Sequence, residues 1–122
     1  MAGMEKTRFE SSTDVRPFKD GKGELRVIDL EGKAVGKATF EPGWRWSDHV
    51  KPIAGTDSCQ SHHTGYTVSG SLTVRMDDGT EETFGPGDVM SVMPGHDAWV
   101  VGDEACVVLD WLGYSDYAKP KG

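Results

Sequence analysis

The sequence predicts an all-β fold, either a sandwich or a closed barrel of short strands. Three observations carry that prediction. Between Tyr66 and Met76 the even positions Tyr66, Val68, Leu72, Val74 and Met76 are apolar, while Thr67, Ser69, Thr73 and Arg75 at odd positions are polar. That is the period of a strand with one buried face. Turn residues punctuate the chain, as at Glu41-Pro42-Gly43, Asp77-Asp78-Gly79, Gly85-Pro86-Gly87-Asp88 and Pro94-Gly95, at the roughly ten-residue spacing common in sandwiches and barrels. No window places apolar residues at helical spacing over several turns, and the 16 glycines among 122 residues favour tight turns over long helices.

The elements follow in order. Residues 1–14 are polar and anchored by Phe9, and read as an arm that frays or docks on a neighbour; residues 15–113 form the domain and 114–122 a polar tail. Pro17 biases Arg16 toward extended backbone. Leu25 to Leu30 and Ala34 to Phe40 form a hairpin around Glu31-Gly32-Lys33. Trp44 to His49 alternates aromatic with polar residues, as a strand with Trp44 and Trp46 on one face. Pro52 and Gly55 mark a loop. The strand from Tyr66 is interrupted by Gly70, where a bulge or sharp bend is expected. Glu81 to Phe84 returns from the Asp77–Gly79 turn, with the acidic residues around it as a solvated tip. Val89 to Met93, Trp99 to Val101 and Ala105 to Leu112 complete the strands.

Charge narrows the function. Thirteen Lys and Arg against 20 Asp and Glu leave a formal charge of −7 with no basic cluster. Nucleic acid is therefore a poor partner, as is an anionic membrane surface. No apolar run is long enough to span a bilayer and the N-terminus lacks an apolar signal core, so a cytoplasmic location is expected. In that compartment Cys59 and Cys106 are expected as free thiols. No phosphate-binding glycine loop, nucleophile elbow or Cys-x-x-Cys occurs.

Two stretches hold the chemistry. Asp57 to Gly70, DSCQSHHTGYTVSG, contains two of the four histidines and one cysteine, and Gly85 to Trp99, GPGDVMSVMPGHDAW, adds a third histidine. On these two stretches, over roughly residues 40 to 112, the chain resembles the cupin superfamily, in particular its small single-domain conserved-barrel (cupin 2) proteins. The resemblance implies an all-β double-stranded β-helix, the jelly-roll barrel, often as a homodimer. The family's first motif is a His-x-His and a Glu, all metal ligands, ahead of a glycine that opens a strand. Taking Gly70 as that glycine puts His63 at the glutamate position, Cys59 at the second histidine and Asp57 at the first. The second motif resembles Gly87-Asp88 through Pro94-Gly95; its usual histidine falls at Ala98, with His96 two residues earlier.

The implied metal ligands are thus Cys59, His63 and His96, an N/S set suited to one divalent transition metal (Zn, Fe, Mn or Ni). In an extended segment Asp57, Cys59, Ser61 and His63 share one face, and the two-residue offset keeps His96 on the same face as Ala98. The alternation after Gly65 instead places His62 with the apolar side, whereas the resemblance favours His63. The plainer alternative is a buried, inert thiol and hydrogen-bonded loop histidines, with no metal. Asp57, Trp46, His49 and Trp99 are the other candidate pocket residues, and Met76, Met90 and Met93 candidates for its apolar wall. Core packing is the ordinary role of most tryptophans. The expected function is a small-molecule-binding barrel, and the alternative a metal-dependent oxygenase, isomerase or lyase on the same scaffold. The outer sheet would serve a dimer.

Overall fold

Left-handed backbone at Glu31 (φ 51°) and Gly32 (φ 82°) is what a tight two-residue hairpin turn needs to match the twist of its strands. It joins β2 (Gly23–Leu30) to β3 (Lys33–Phe40), the longest pair in the computed structural model, which describes residues 3–111. β1 (Asp14–Pro17) flanks β2. Two single-turn helices follow, α1 (Trp46–His49) and α2 (Lys51–Ala54), then β4 (His63–Ser69), β5 (Ser71–Met76), β6 (Glu81–Phe84), β7 (Val89–Val92), β8 (His96–Val101) and β9 (Cys106–Asp110). The expected strand end at Leu112 and the tail from residue 114 lie outside the described residues.

The strands form two antiparallel sheets, six strands in the order β1-β2-β3-β9-β4-β7 and three in the order β6-β5-β8. Their inner faces enclose one core. Leu25, Ala38, Phe40, Met90, Val92 and Val108 come from the larger sheet, and Leu72, Val74, Ala98 and Val100 from the smaller. Phe18, Phe40 and Trp44 pack as an aromatic cluster, with ring centroids 4.2 to 5.8 Å apart, a geometry that adds about 0.5–1.5 kcal/mol per pair beyond the area buried. This is an all-β jelly-roll barrel, the expected fold class.

Two expectations are corrected. The Trp44–His49 segment is not a strand. Trp46–His49 winds into α1, whose first turn is capped by Asp97 from β8, the Asp97 carboxylate accepting from Ser47 N at 3.0 Å. The second correction concerns parity. In β4 the odd residues face inward: Thr67 is fully buried, whereas Tyr66 and Val68 are 38% and 46% exposed. In β5 the even residues Leu72 and Val74 are buried. The inversion arises at Gly70 (φ 70°), which lies between a register shift against β9 and the crossing into the second sheet. Each apolar run is locally periodic, but the two halves line different sheets.

Gly70 is held there by contact as well as by φ. A Cβ at this position would lie 2.3 Å from the Ala105 carbonyl oxygen. Gly70→Ala is expected to destabilise the fold by about 2–5 kcal/mol, combining left-handed strain with a backbone clash. Gly79→Ala, at φ 94° with open space around it, should lose about 1–2 kcal/mol. Denaturant midpoints of the two variants check the contrast, and equal losses would refute it.

Candidate functional site

The inward parity of β4 brings His63 to the core side of the larger sheet, at the strand's first position and opposite Val92 of β7. His96 opens β8 on the inner face shared with Ala98 and Val100. Cys59 belongs to no regular strand, but pairs with His96 as an isolated antiparallel bridge. Its N–H donates to the His96 carbonyl at 2.7 Å and its own carbonyl accepts from Gly95 N at 2.7 Å. One donor atom from each of Cys59, His63 and His96 lies within 4.8 Å of the others.

Each histidine is oriented by its second nitrogen. His63 Nδ1 donates to Asp110 Oδ2 at 2.7 Å, which leaves Nε2 facing Cys59 Sγ at 3.6 Å. His96 Nδ1 donates to the Met93 carbonyl at 2.8 Å, which leaves Nε2 as the nitrogen for the thiol. A carboxylate or carbonyl behind the ring is the usual partner of a metal-ligating histidine, fixing tautomer and ring plane. The spacing fits as well. Metal–sulfur and metal–nitrogen bonds of about 2.3 and 2.0–2.1 Å set the sulfur–nitrogen separation at about 3.6 Å in a tetrahedral centre, the separation already present between Cys59 and His63. Thiolate and imidazole donors suit Zn²⁺ and other late metals, whereas Mn²⁺ prefers oxygen.

The charges of the centre support one another. Burial pushes the Cys59 thiol up, but hydrogen bonds from His63 and His96 and the imidazole charge outweigh it and bring it down to about 6. Burial pushes His63 down, and the Asp110 hydrogen bond with the Cys59 sulfur overrides it, raising the imidazole to about 9. Cys106, buried without such neighbours, is pushed up to about 11 by desolvation and the charge of Glu104. Both thiols are free.

A cavity of about 50 Å³ adjoins the centre. His63, His96 and Asp110 line it together with Trp44, Trp46, Met90 and aliphatic side chains, and no Lys or Arg does. Of the expected pocket residues, Trp46 lines it. Asp57 is exposed and outside the donor cluster. His49 is buried but turned to structure: its Nδ1 accepts from Arg45 N at 3.0 Å at the start of α1. Trp99 falls on the outer parity of β8, where the Arg45 guanidinium lies 4.4 Å from its ring centroid. Met93 is 57% exposed, and Met76 is half-buried against the core, lining a second pocket that shares Val74 and Val92 with the cavity. His62 also faces outward, toward Ser91 Oγ at 3.4 Å. Asp110 was not singled out from the sequence, although a signal existed. It continues the inward series Cys106 and Val108 on an otherwise apolar strand, and a carboxylate on a buried parity implies a partner.

No protein-family model and no curated protein matches the sequence. Solved structures do match in fold. A protein of unknown function from Rhizobium leguminosarum superposes with a TM-score of 0.62 at 17% identity, over 97% of this chain and 98% of its own. The polyketide cyclase RemF from Streptomyces resistomycificus does so at 0.59 and 19%, over 88% and 77%. An oxalate decarboxylase of Bacillus subtilis gives 0.56 and 24%, over 87% of this chain but 29% of its own, so this chain spans under a third of that enzyme. At these identities the likeness is one of fold, a cupin-like barrel.

In metal-free protein the ultraviolet thiolate band is expected to appear in two steps as pH rises, near pH 6 for Cys59 and near 11 for Cys106. Cys59→Ser should remove the first step. Asp110→Asn, by withdrawing support for the imidazolium, should move it upward. A single step above pH 8 in the native chain would contradict the arrangement.

Proposed function

We propose that this barrel is a small-molecule-binding domain centred on one divalent transition metal, Zn²⁺ or another late metal, held by Cys59, His63 and His96. The observation that carries the reading is the pair of anchored imidazoles. Asp110 and the Met93 carbonyl each occupy an Nδ1, which directs both Nε2 atoms toward the thiol. A bland buried polar cluster has no need of that shared orientation.

Each side chain has a distinct part. Cys59 supplies a soft anionic donor whose low pKa keeps it ionised near neutral pH. His63 and His96 supply neutral nitrogens and also line the cavity, so a ligand entering there meets the centre. Asp110 positions His63 and balances charge. Trp46 and the surrounding aliphatic wall exclude water and shape the occupant. The cavity's room, about 50 Å³, corresponds to a few water-sized groups, which selects small ligands over polycyclic ones.

A second reading, catalysis at the same centre, is favoured by the size of the donor set. Three protein ligands are the number found in catalytic zinc sites, which keep one position for water or substrate. Bound there, the metal would act as a Lewis acid on a carbonyl or enolate oxygen. The oxygenase, isomerase and lyase classes all fit that role, and the barrel's structural neighbours include enzymes.

Metal analysis tests the proposal. Protein dialysed against Zn²⁺ should retain one equivalent, and Cys59→Ser or His63→Ala should lose it. Asp110→Asn should weaken binding about 10–100-fold, as loss of an outer partner does, and Mn²⁺ should bind more weakly than Zn²⁺. Zinc retention that is unaltered in the Cys59→Ser and His63→Ala variants, or absent from the native chain, would remove this reading.

A further inference from the structure

β6 ends the smaller sheet and β7 the larger, and no ladder joins them. A second pocket, of about 240 Å³, is lined by residues of both edge strands and of β5 beside them. Val74 and Val92, both buried, line it as well as the inner cavity. Phe84 and Met76, half-buried against the core, and Met93, 57% exposed, extend this apolar surface. Two carboxylates stand among the hydrocarbon, Glu81 and Glu82, and no Lys, Arg or His accompanies them in the lining.

The two glutamates differ in what they already meet. Glu81 lies opposite Arg75 across the β5–β6 ladder, with Oε2 3.9 Å from the guanidinium Nε. Glu82 lies opposite Val74, and Phe84 opposite Leu72. Opposed residues of an antiparallel pair project to the same face, so Glu82 and Phe84 share the inward face with Val74 and Leu72. No ion pair involves Glu82 among the described residues. An inward-pointing acid is one way to guard a free sheet edge, but that role has no use for a pocket beside it.

We propose that the pocket between β6 and β7 binds a small organic cation, an arylalkylammonium whose nitrogen donates to the Glu82 carboxylate. Its hydrocarbon body lies against Val74, Val92, Phe84 and the two methionines, whose sulfurs make favourable contacts with aromatic rings. An anion of the same shape would meet two carboxylates and no cation, and is disfavoured. A neutral analogue keeps only the contacts of its body. Glu82 is exposed, so its charge contributes a modest factor and burial of apolar area supplies the rest. The formal charge of −7 further favours the approach of cations. Neither the metal nor the inner cavity enters this proposal.

Three probes of matched shape test it: phenethylammonium, 2-phenylethanol and phenylacetate, a cation, a neutral molecule and an anion at neutral pH. The readout is the methionine-methyl region of a proton–carbon correlation spectrum, assigned through Met76→Leu, Met90→Leu and Met93→Leu. Phenethylammonium is expected to move the Met76 and Met93 resonances in chelator-treated and zinc-loaded protein alike. Met90, which lines only the inner cavity, should stay in place. The cation should bind about threefold to tenfold more tightly than the alcohol, and phenylacetate more weakly than either. Glu82→Gln, an exposed and conservative change, should abolish the preference for the cation while leaving the alcohol's affinity unaltered. Glu81→Gln should have the smaller effect, since Arg75 already faces that carboxylate.

Met76 and Met93 resonances that stay still throughout the amine titration would overturn the proposal without recourse to any variant. So would movement of Met90 in their stead, which would put the amine in the inner cavity. Equal affinity for all three probes, or a cation preference that survives Glu82→Gln, would leave Glu82 as a guard of the β6 edge alone and equally defeat it. If zinc fails to bind while the amine still moves Met76 and Met93, the metal reading falls and this one stands.

Discussion

Backbone hydrogen bonds between an irregular segment and the start of β8 hold the centre of this molecule together. Cys59 N donates to the His96 carbonyl and Gly95 N to the Cys59 carbonyl, both at 2.7 Å. They join residues far apart in sequence and seat the thiol beside the imidazole of its bridge partner. Ser58 Oγ, donating to Asp77 Oδ2 at 3.0 Å, and Asp77 N, donating to the Gly95 carbonyl at 2.8 Å, tie the β5–β6 turn to the same place. Four residues beyond Cys59 the chain enters β4, so His63 arrives with its ring against the sulfur. Loss of this bridging would free the segment that carries the thiol, while the two sheets kept their own ladders.

The two cysteines show how strongly local partners govern a buried thiol. Cys59 is 2% exposed and Cys106 fully buried, and desolvation alone would raise both. Two imidazoles bring the first to about 6, while the second, near Glu104, rises to about 11. Charge is tolerated inside an apolar barrel only because each group answers another, from Asp110 through His63 to Cys59. The same compensation that stabilises the cluster leaves it chemically competent, with one nucleophilic donor and two oriented nitrogens. The cavity beside it is otherwise hydrocarbon and indole, so polar groups of a ligand have few places to be satisfied.

Much of the fold was legible from residues alone. The β2–β3 hairpin follows from its turn, where Gly32 accommodates a positive φ, and the Asp77–Gly79 and Gly85–Asp88 turns lie where their residues put them. β8 starts at His96, three residues before the expected start at Trp99. Trp44–His49 reads as alternating, yet Trp46–His49 within it is helical, since Asp97 of β8 caps its first turn and a four-residue segment has no periodicity of its own. Cys59, His63 and His96 were expected together from the family resemblance, whereas alternation alone favoured His62; their donor atoms lie within 4.8 Å of one another. Trp99 and His49 were expected in the pocket but serve the Arg45–Asp97 corner instead, because β8 turns its even side inward and α1 uses the imidazole at its own start.

The sequence by itself determined the strand segments, their turns and the residue types available for chemistry, because these depend on neighbours a few positions away. Only the tertiary structure decided which side of each strand is inside. Alternation is symmetric between faces, and the choice is made by the sheet that covers it; Gly70 reverses it between Thr67 and Leu72. The tertiary structure likewise recruited Asp110, which stands opposite Gly65 across the β4–β9 ladder. There the missing Cβ of a glycine, whose place would lie 2.4 Å from the Leu109 carbonyl oxygen, lets the two strands approach closely, beside the imidazole that the carboxylate orients.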